Sequence, residues 1–103
     1  MRFLLPALSL LAFALAAPLL AEEWSRGRIN GLPDSAFAVV EIAEDGTKVR
    51  HLPHHNEQGD LDIAHLRSAL SRFGQVRWLS PASEAAARRH LEEHRRELRE
   101  LHP

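Results

Sequence analysis

The stretch AFAVVEIAEDGTKVRHLP, residues 36 to 53, limits what this chain can become more than any other segment. Two runs rich in β-branched and aromatic residues flank Glu44-Asp45-Gly46, and Asp-Gly supplies the positive φ that a tight reversal needs. The segment therefore reads as a β-hairpin. With Asp45 and Gly46 as a two-residue loop, Ile42 faces Val49, Glu41 faces Arg50, Val40 faces His51 and Val39 faces Leu52. That register makes Glu41 and Arg50 a cross-strand ion pair. It also sets His51 on the face of Val40, Ile42 and Val49, where a histidine is expected as a hydrogen-bonded core residue.

Two amphipathic stretches follow and are expected to cover the hairpin. DLDIAHLRSALSRFG, residues 60 to 74, offers Asp60 as N-cap, an apolar stripe of Ile63, Leu66, Leu70 and Phe73, and a stop at Gly74. Val76 to Leu79 reads as a third strand or as a crossing back over the hairpin. The last segment, SPASEAAARRHLEEHRRELRELHP, opens with Ser80 as N-cap and Pro81 at the first helical position, where its missing N–H costs nothing. Ala87, Leu91, Leu98 and Leu101 form its inward stripe, with His94 in the gap between Leu91 and Leu98. This narrow stripe, flanked by charges, resembles a coiled-coil seam. Packing on the hairpin is its expected use, because so short a chain has few other apolar surfaces to bury. Residues 22 to 35, EEWSRGRINGLPDS, read as an extended lead-in whose Trp24, Ile29 and Leu32 dock on the core. The fold class is α+β: a β-hairpin or small antiparallel sheet packed against two α-helices, forming one small domain over residues 36 to 103.

The first 21 residues stand apart. MRFLLPALSLLAFALAAPLLA has one positive charge at Arg2, then a Leu/Ala-rich run without charge, ending in Ala21. That is the layout of a secretory signal peptide, so the protein is expected to be exported, periplasmic or secreted. The alternative is an uncleaved N-terminal membrane anchor, since about 18 apolar residues suffice to span a bilayer. The chain has no cysteine, which excludes a lipoprotein attachment site and disulfide staples alike. Removing 21 of the 103 residues leaves 82, enough for one domain with a thin stability margin. Without Arg2, 12 basic residues face 14 acidic ones, a balance that supplies no global field for nucleic acid or an anionic membrane.

Several motifs carry possible chemistry. HLEEH, residues 90 to 94, matches the H-x-x-E-H pattern of inverted zinc peptidases, with His90 and His94 one helical turn apart. Only nine residues follow His94, too few to build a third ligand and a substrate cleft beyond it. Arg88/Glu92, Arg89/Glu93, Glu92/Arg96 and Arg96/Glu100 are spaced i,i+4, so the charges read as ion pairs on a solvated helix face. A second cluster is denser: His51, His54 and His55 at the end of the hairpin and His65 in the next helix. With a carboxylate such as Asp62, these histidines form a ligand set for zinc or copper. The same group suits a pH sensor. Arg88, Arg89, Arg95, Arg96 and Arg99 suggest nucleic acid, but Glu84, Glu92, Glu93, Glu97 and Glu100 interleave with them. No nucleophile elbow or Gly-rich phosphate loop is present, so no enzyme activity is expected.

LPDSAFAVVE (32 to 41), RHLPHH (50 to 55) and HLRSALSRFGQ (65 to 75) together resemble a short module of bacterial and phage-associated proteins of uncharacterised role. The resemblance covers about half of residues 22 to 103 and implies a small α+β fold without an established activity. The expected function is that of an exported, non-enzymatic protein-interaction module, with His54, His55 and Asn56 contacting an unknown protein partner. The alternative is a periplasmic zinc- or copper-binding protein using His51, His54, His55 and His65. A nucleic-acid-binding role comes third.

Overall fold

The computed structural model describes residues 23–101. Residues 1 to 21, expected to be a signal peptide or an anchor, lie outside them. Among the described residues no helix is long and apolar enough to cross a membrane.

The hairpin forms where its residues favour it: β1 (Phe37–Ile42) and β2 (Lys48–Pro53) pair antiparallel in a two-stranded sheet. Its register is one residue away from the expected one, with Val39 facing His51, Val40 facing Arg50, Glu41 facing Val49 and Ile42 facing Lys48. The reason lies in the reversal, which takes three residues, Glu44 to Gly46, instead of two. Ala43 N–H donates to the Thr47 carbonyl at 2.8 Å and Gly46 N–H to the Ala43 carbonyl at 2.9 Å. Gly46 then takes a φ of 87°, the left-handed position that closes a three-residue loop. Asp45 Oδ1 accepts from Thr47 N–H at 3.0 Å and holds the turn locally.

A shift of one residue gives every side chain a new neighbour. The expected Glu41–Arg50 pair is therefore replaced. Glu41 Oε1 lies 2.8 Å from His51 Nε2. Arg50 turns away to the carbonyls of Ile29, Asn30 and Leu32 and to the Asp34 carboxylate. Those contacts explain a second departure, because the lead-in is not extended. It contains α1 (Arg26–Gly31) and a 3-10 turn at Asp34–Ala36. A helix this short is unstable alone. Ser25 caps its start by accepting from Arg28 N–H at 3.1 Å, and Arg50 takes up the carbonyls at its end. Trp24 and Leu32 are buried with Ala36 and Phe37, and Ile29 packs beside them, so the expected docking of the lead-in occurs.

The second helix, α2 (Ile63–Arg72), is capped by Asp62, whose Oδ1 accepts from His65 N–H at 3.0 Å. Asp60, expected in that role, instead closes the preceding loop through its carbonyl, which accepts from Asn56 N–H. A 3-10 turn at Phe73–Gln75 ends the element. Residues 76 to 79 then cross the hairpin and form no third strand among the described residues. The cause is Glu41. Its buried carboxylate accepts from Leu79 N–H at 2.8 Å and from Ser80 N–H at 3.2 Å, taking donors that a strand ladder needs. Burial pushes the Glu41 carboxyl up, but hydrogen bonds from Ser83, His51 and Leu79 outweigh it and leave it below its ordinary value.

The last helix, α3 (Pro81–Leu101), begins at Ser80, whose Oγ accepts from Ser83 N–H at 3.1 Å. It packs on β1, while α2 packs on β2. Between them Ala38, Leu66, Ala69, Ala87 and Leu91 form the buried core. Two stripe residues miss it: Ile63 is 41% and Leu101 72% exposed. Each stands at a helix end, Ile63 on the first residue of α2 and Leu101 on the last of α3. For Leu101 the lengths explain why: a six-residue strand reaches roughly 20 Å, whereas a helix of 21 residues reaches roughly 31 Å, so the sheet is too short to cover its end.

Candidate metal centre

The end of β2 is bent. Leu52 adopts a φ of 60°, a left-handed conformation that a branched side chain tolerates only when its surroundings hold it. Ala38 and Leu52 accordingly drop out of an otherwise continuous register. The bend aims the Leu52 carbonyl at His54 Nδ1, 2.9 Å away. His54 N–H and His55 N–H both donate to the Ala36 carbonyl, at 2.9 and 3.3 Å. Beyond them the loop folds onto itself. Asp62 N–H donates to the His54 carbonyl at 2.8 Å, and His55 bridges Leu61. Asn56 Oδ1 accepts from Gln58 N–H and Asp60 N–H, both at 2.9 Å. His55 Nδ1 reaches the Gly59 carbonyl at 3.2 Å. Both imidazoles are thus oriented through their Nδ1 atoms. A carbonyl can only accept, so each Nδ1 carries the hydrogen and each Nε2 presents a lone pair.

Those lone pairs meet α3. His90 and His94, one turn apart, face the loop instead of the solvent. His54 Nε2 lies 3.3 Å from His90 Nε2, His55 Nε2 lies 3.2 Å from His94 Nε2, and the Nε2 atoms of His90 and His94 are 3.1 Å apart. One ligand atom from each of the four lies within 4.8 Å of the others. A ring nitrogen offers one direction in its plane, filled by a hydrogen or by a lone pair. Four such atoms can make at most two N–H···N bonds. Three close contacts exist, so no placement of protons satisfies them all. A cation at the centre does, because it takes all four lone pairs at once.

The electrostatics keep those pairs available. His54 is fully buried, and burial pushes its pKa down to about 4, against the Leu52 hydrogen bond and with help from the neighbouring histidines. His90 and His94 are also lowered, first by burial and then by the other imidazoles, although Glu93 pulls both back and Glu97 pulls back His94. Near neutral pH protons therefore compete weakly for these nitrogens. A folded-state value below the ordinary 6.5 means that the unfolded chain binds a proton at His54 that the folded one refuses. Metal-free stability is then fully present above pH 6.5 and is lost as the pH falls toward about 4. The urea midpoint of the metal-free protein should decline through that window, with a weaker decline in His54→Leu. A flat wild-type profile contradicts this.

The sequence-predicted residues divide between this centre and elsewhere. His54 and His55 belong to it. His51 does not: the shifted register pairs it with Glu41 and sets its ring edge-on to Trp78, 5.0 Å between centroids. His65 does not either, because it stacks on Trp24 at 3.6 Å and its Nδ1 lies 3.0 Å from Asp62. Asp62 is occupied as the α2 cap, and Asn56 is turned inward to hold its own loop. His54 has no exposed surface to offer a protein partner.

His90 and His94, the two histidines of HLEEH, complete the group. Among the described residues the Arg–Glu ion pair found on α3 is Arg95 with Glu92 at 3.3 Å, not the expected i,i+4 set. Arg88 instead lies over the Phe73 ring, 4.5 Å from its centre. The i,i+4 spacing of the two α3 histidines was the signal for a shared ion. Nothing along the chain linked it to His54 and His55. No protein-family model, curated protein or solved structure matches this chain.

Proposed function

We propose that this protein binds one divalent transition-metal ion, zinc before copper, through the Nε2 atoms of His54, His55, His90 and His94. The observation that carries the reading is the three N···N contacts of 3.1–3.3 Å among four ring nitrogens that can form only two hydrogen bonds. The three close contacts are nearer to the edge of a zinc tetrahedron than to the side of a square plane, while the other pairs lie within 4.8 Å. Four nitrogens around zinc at its usual bond length stand about 3.3 Å apart in a tetrahedron, whereas neighbours in a square plane stand about 2.9 Å apart. The chain has no Cys and only Met1 as thioether, which disfavours monovalent copper. Four protein nitrogens complete a tetrahedral ion without an open position, which supports binding over hydrolytic catalysis. Export, read from the leader, belongs to the same proposal: it directs the protein to a compartment where such ions are taken up and buffered.

A four-ligand zinc site contributes roughly 10–16 kcal/mol, so one ligand's share is about 3 kcal/mol, or about 100-fold in affinity. Native mass spectrometry and chelator competition at neutral pH should find one zinc per chain. His54→Ala and His90→Ala should each weaken it about 100-fold, while His51→Ala and His65→Ala leave it nearly unchanged. Binding that depends on His51 or His65, or no binding at micromolar zinc, overturns the proposal.

A further inference from the structure

Bound imidazoles are held by a second hydrogen bond from the ring nitrogen that faces away from the metal. Two of the four here have one at hydrogen-bond distance: His54 Nδ1 has the Leu52 carbonyl at 2.9 Å and His55 Nδ1 has the Gly59 carbonyl at 3.2 Å. Of the two on α3, His94 stands out. Its Nδ1 is buried without a hydrogen-bond partner. The nearest acceptor is the Glu97 carboxylate, one turn along α3, with Oε2 3.9 Å away. That is about 1 Å too long for a hydrogen bond. The Glu97 side chain is 55% exposed, so it can swing inward.

We infer that Glu97 is the outer-sphere partner of His94 and latches the metal site: when His94 gives its Nε2 lone pair to the ion, Glu97 receives the Nδ1–H. The inference rests on the zinc-binding reading above. Its physical basis is the fate of one proton. A neutral imidazole that donates its Nε2 lone pair must carry its hydrogen on Nδ1, and on His94 that hydrogen is buried with nothing to accept it. The Glu97 carboxylate satisfies it and offsets part of the ion's charge, which four neutral rings leave uncompensated.

The position of His94 makes the contact a latch. A cleft lined by Ala86, Arg89, His90, Glu93, His94 and Glu97 opens on this side of the site. His54 closes the opposite side, fully buried. The cleft gives the ion a way out past His94, and the hydrogen bond to Glu97 is what keeps that ring in place. Glu93, the other carboxylate of the cleft, pulls on His90 and His94 through its charge alone. Arg89 is the cation that lines the same cleft.

The test follows zinc release from the loaded full-length protein into excess chelator. Glu97→Ala should release zinc about 10–100-fold faster and lose affinity by the same factor. The association rate and the thermal midpoint of the metal-free protein should not change. Glu97→Gln, which keeps a carbonyl acceptor, should recover part of the loss, and Glu100→Ala should behave as wild type. Release from Glu97→Ala within twofold of wild type overturns the latch, as does a loss confined to the association rate or a Gln variant no better than Ala. In each of those results wild-type zinc binding stands. If wild type itself takes up no zinc, both readings fall together.

Discussion

Saturating zinc should raise the thermal midpoint of this protein by about 10–20 °C at neutral pH, and a chelator should reverse the rise. The magnitude follows from linkage. A ligand that binds only the folded state at 100 times its dissociation constant contributes about 2.7 kcal/mol. Each kcal/mol moves the midpoint of a domain this small by roughly 4–8 °C. The four-ligand site exists in the folded state alone, because its ligand pairs are far apart in sequence. His54 and His90 are separated by 36 residues and His55 and His94 by 39. In the unfolded chain each pair can at best chelate separately. Differential scanning fluorimetry with and without zinc checks this. An equal shift in His90→Ala would show that the ion stabilises from some other place.

Leu66→Ala should cost about 2–5 kcal/mol, the range for removing a fully buried leucine where neighbours cannot collapse into the void. Leu66 has no exposed surface and lies among Ala38, Ala69, Ala87 and Leu91, whose small alanines leave little to fill a cavity. Ile63→Ala, three residues earlier on the same periodic stripe, should cost about 1 kcal/mol or less, because Ile63 is 41% exposed. Urea unfolding of the metal-free proteins measures both. Equal costs would mean that α2 does not sit on the sheet as described. Against a total stability of the order of 5–15 kcal/mol, the loss in Leu66→Ala should lower the urea midpoint markedly, and adding zinc should restore part of it.

The helices and the hairpin were legible because their signals are local. Pro81 after Ser80, Asp-Gly in the reversal and the spacings of Leu66, Leu70, Leu91 and Leu98 act within one or two turns of chain. The register differs by one residue from the expected one because Glu44-Asp45-Gly46 accommodates a two- or a three-residue loop with the same composition. Only the closing contact between Ala43 and Thr47 separates the two. The lead-in helix was missed for a related reason. Its six residues have little helical preference, and the guanidinium that receives its last carbonyls comes from Arg50 on β2.

The histidines show the same division most sharply. Their number, the adjacency of His54 and His55 and the i,i+4 spacing of His90 and His94 were plain along the chain, and His51, His54, His55 and His65 carried zinc or copper as the alternative ligand class. Which of them share an ion was not, since His51 and His65 stand nearer to His54 in sequence than His90 and His94 do. Three structural facts redistributed them: a register that gave His51 to Glu41, a stack that gave His65 to Trp24, and the packing of α3 on β1. Residue types and local spacing thus settle which elements form and which donor atoms are on hand. Helix against sheet, acting over more than thirty residues, decides which four nitrogens converge, because burying Leu66 and Leu91 in one core leaves α3 a single way to turn His90 and His94.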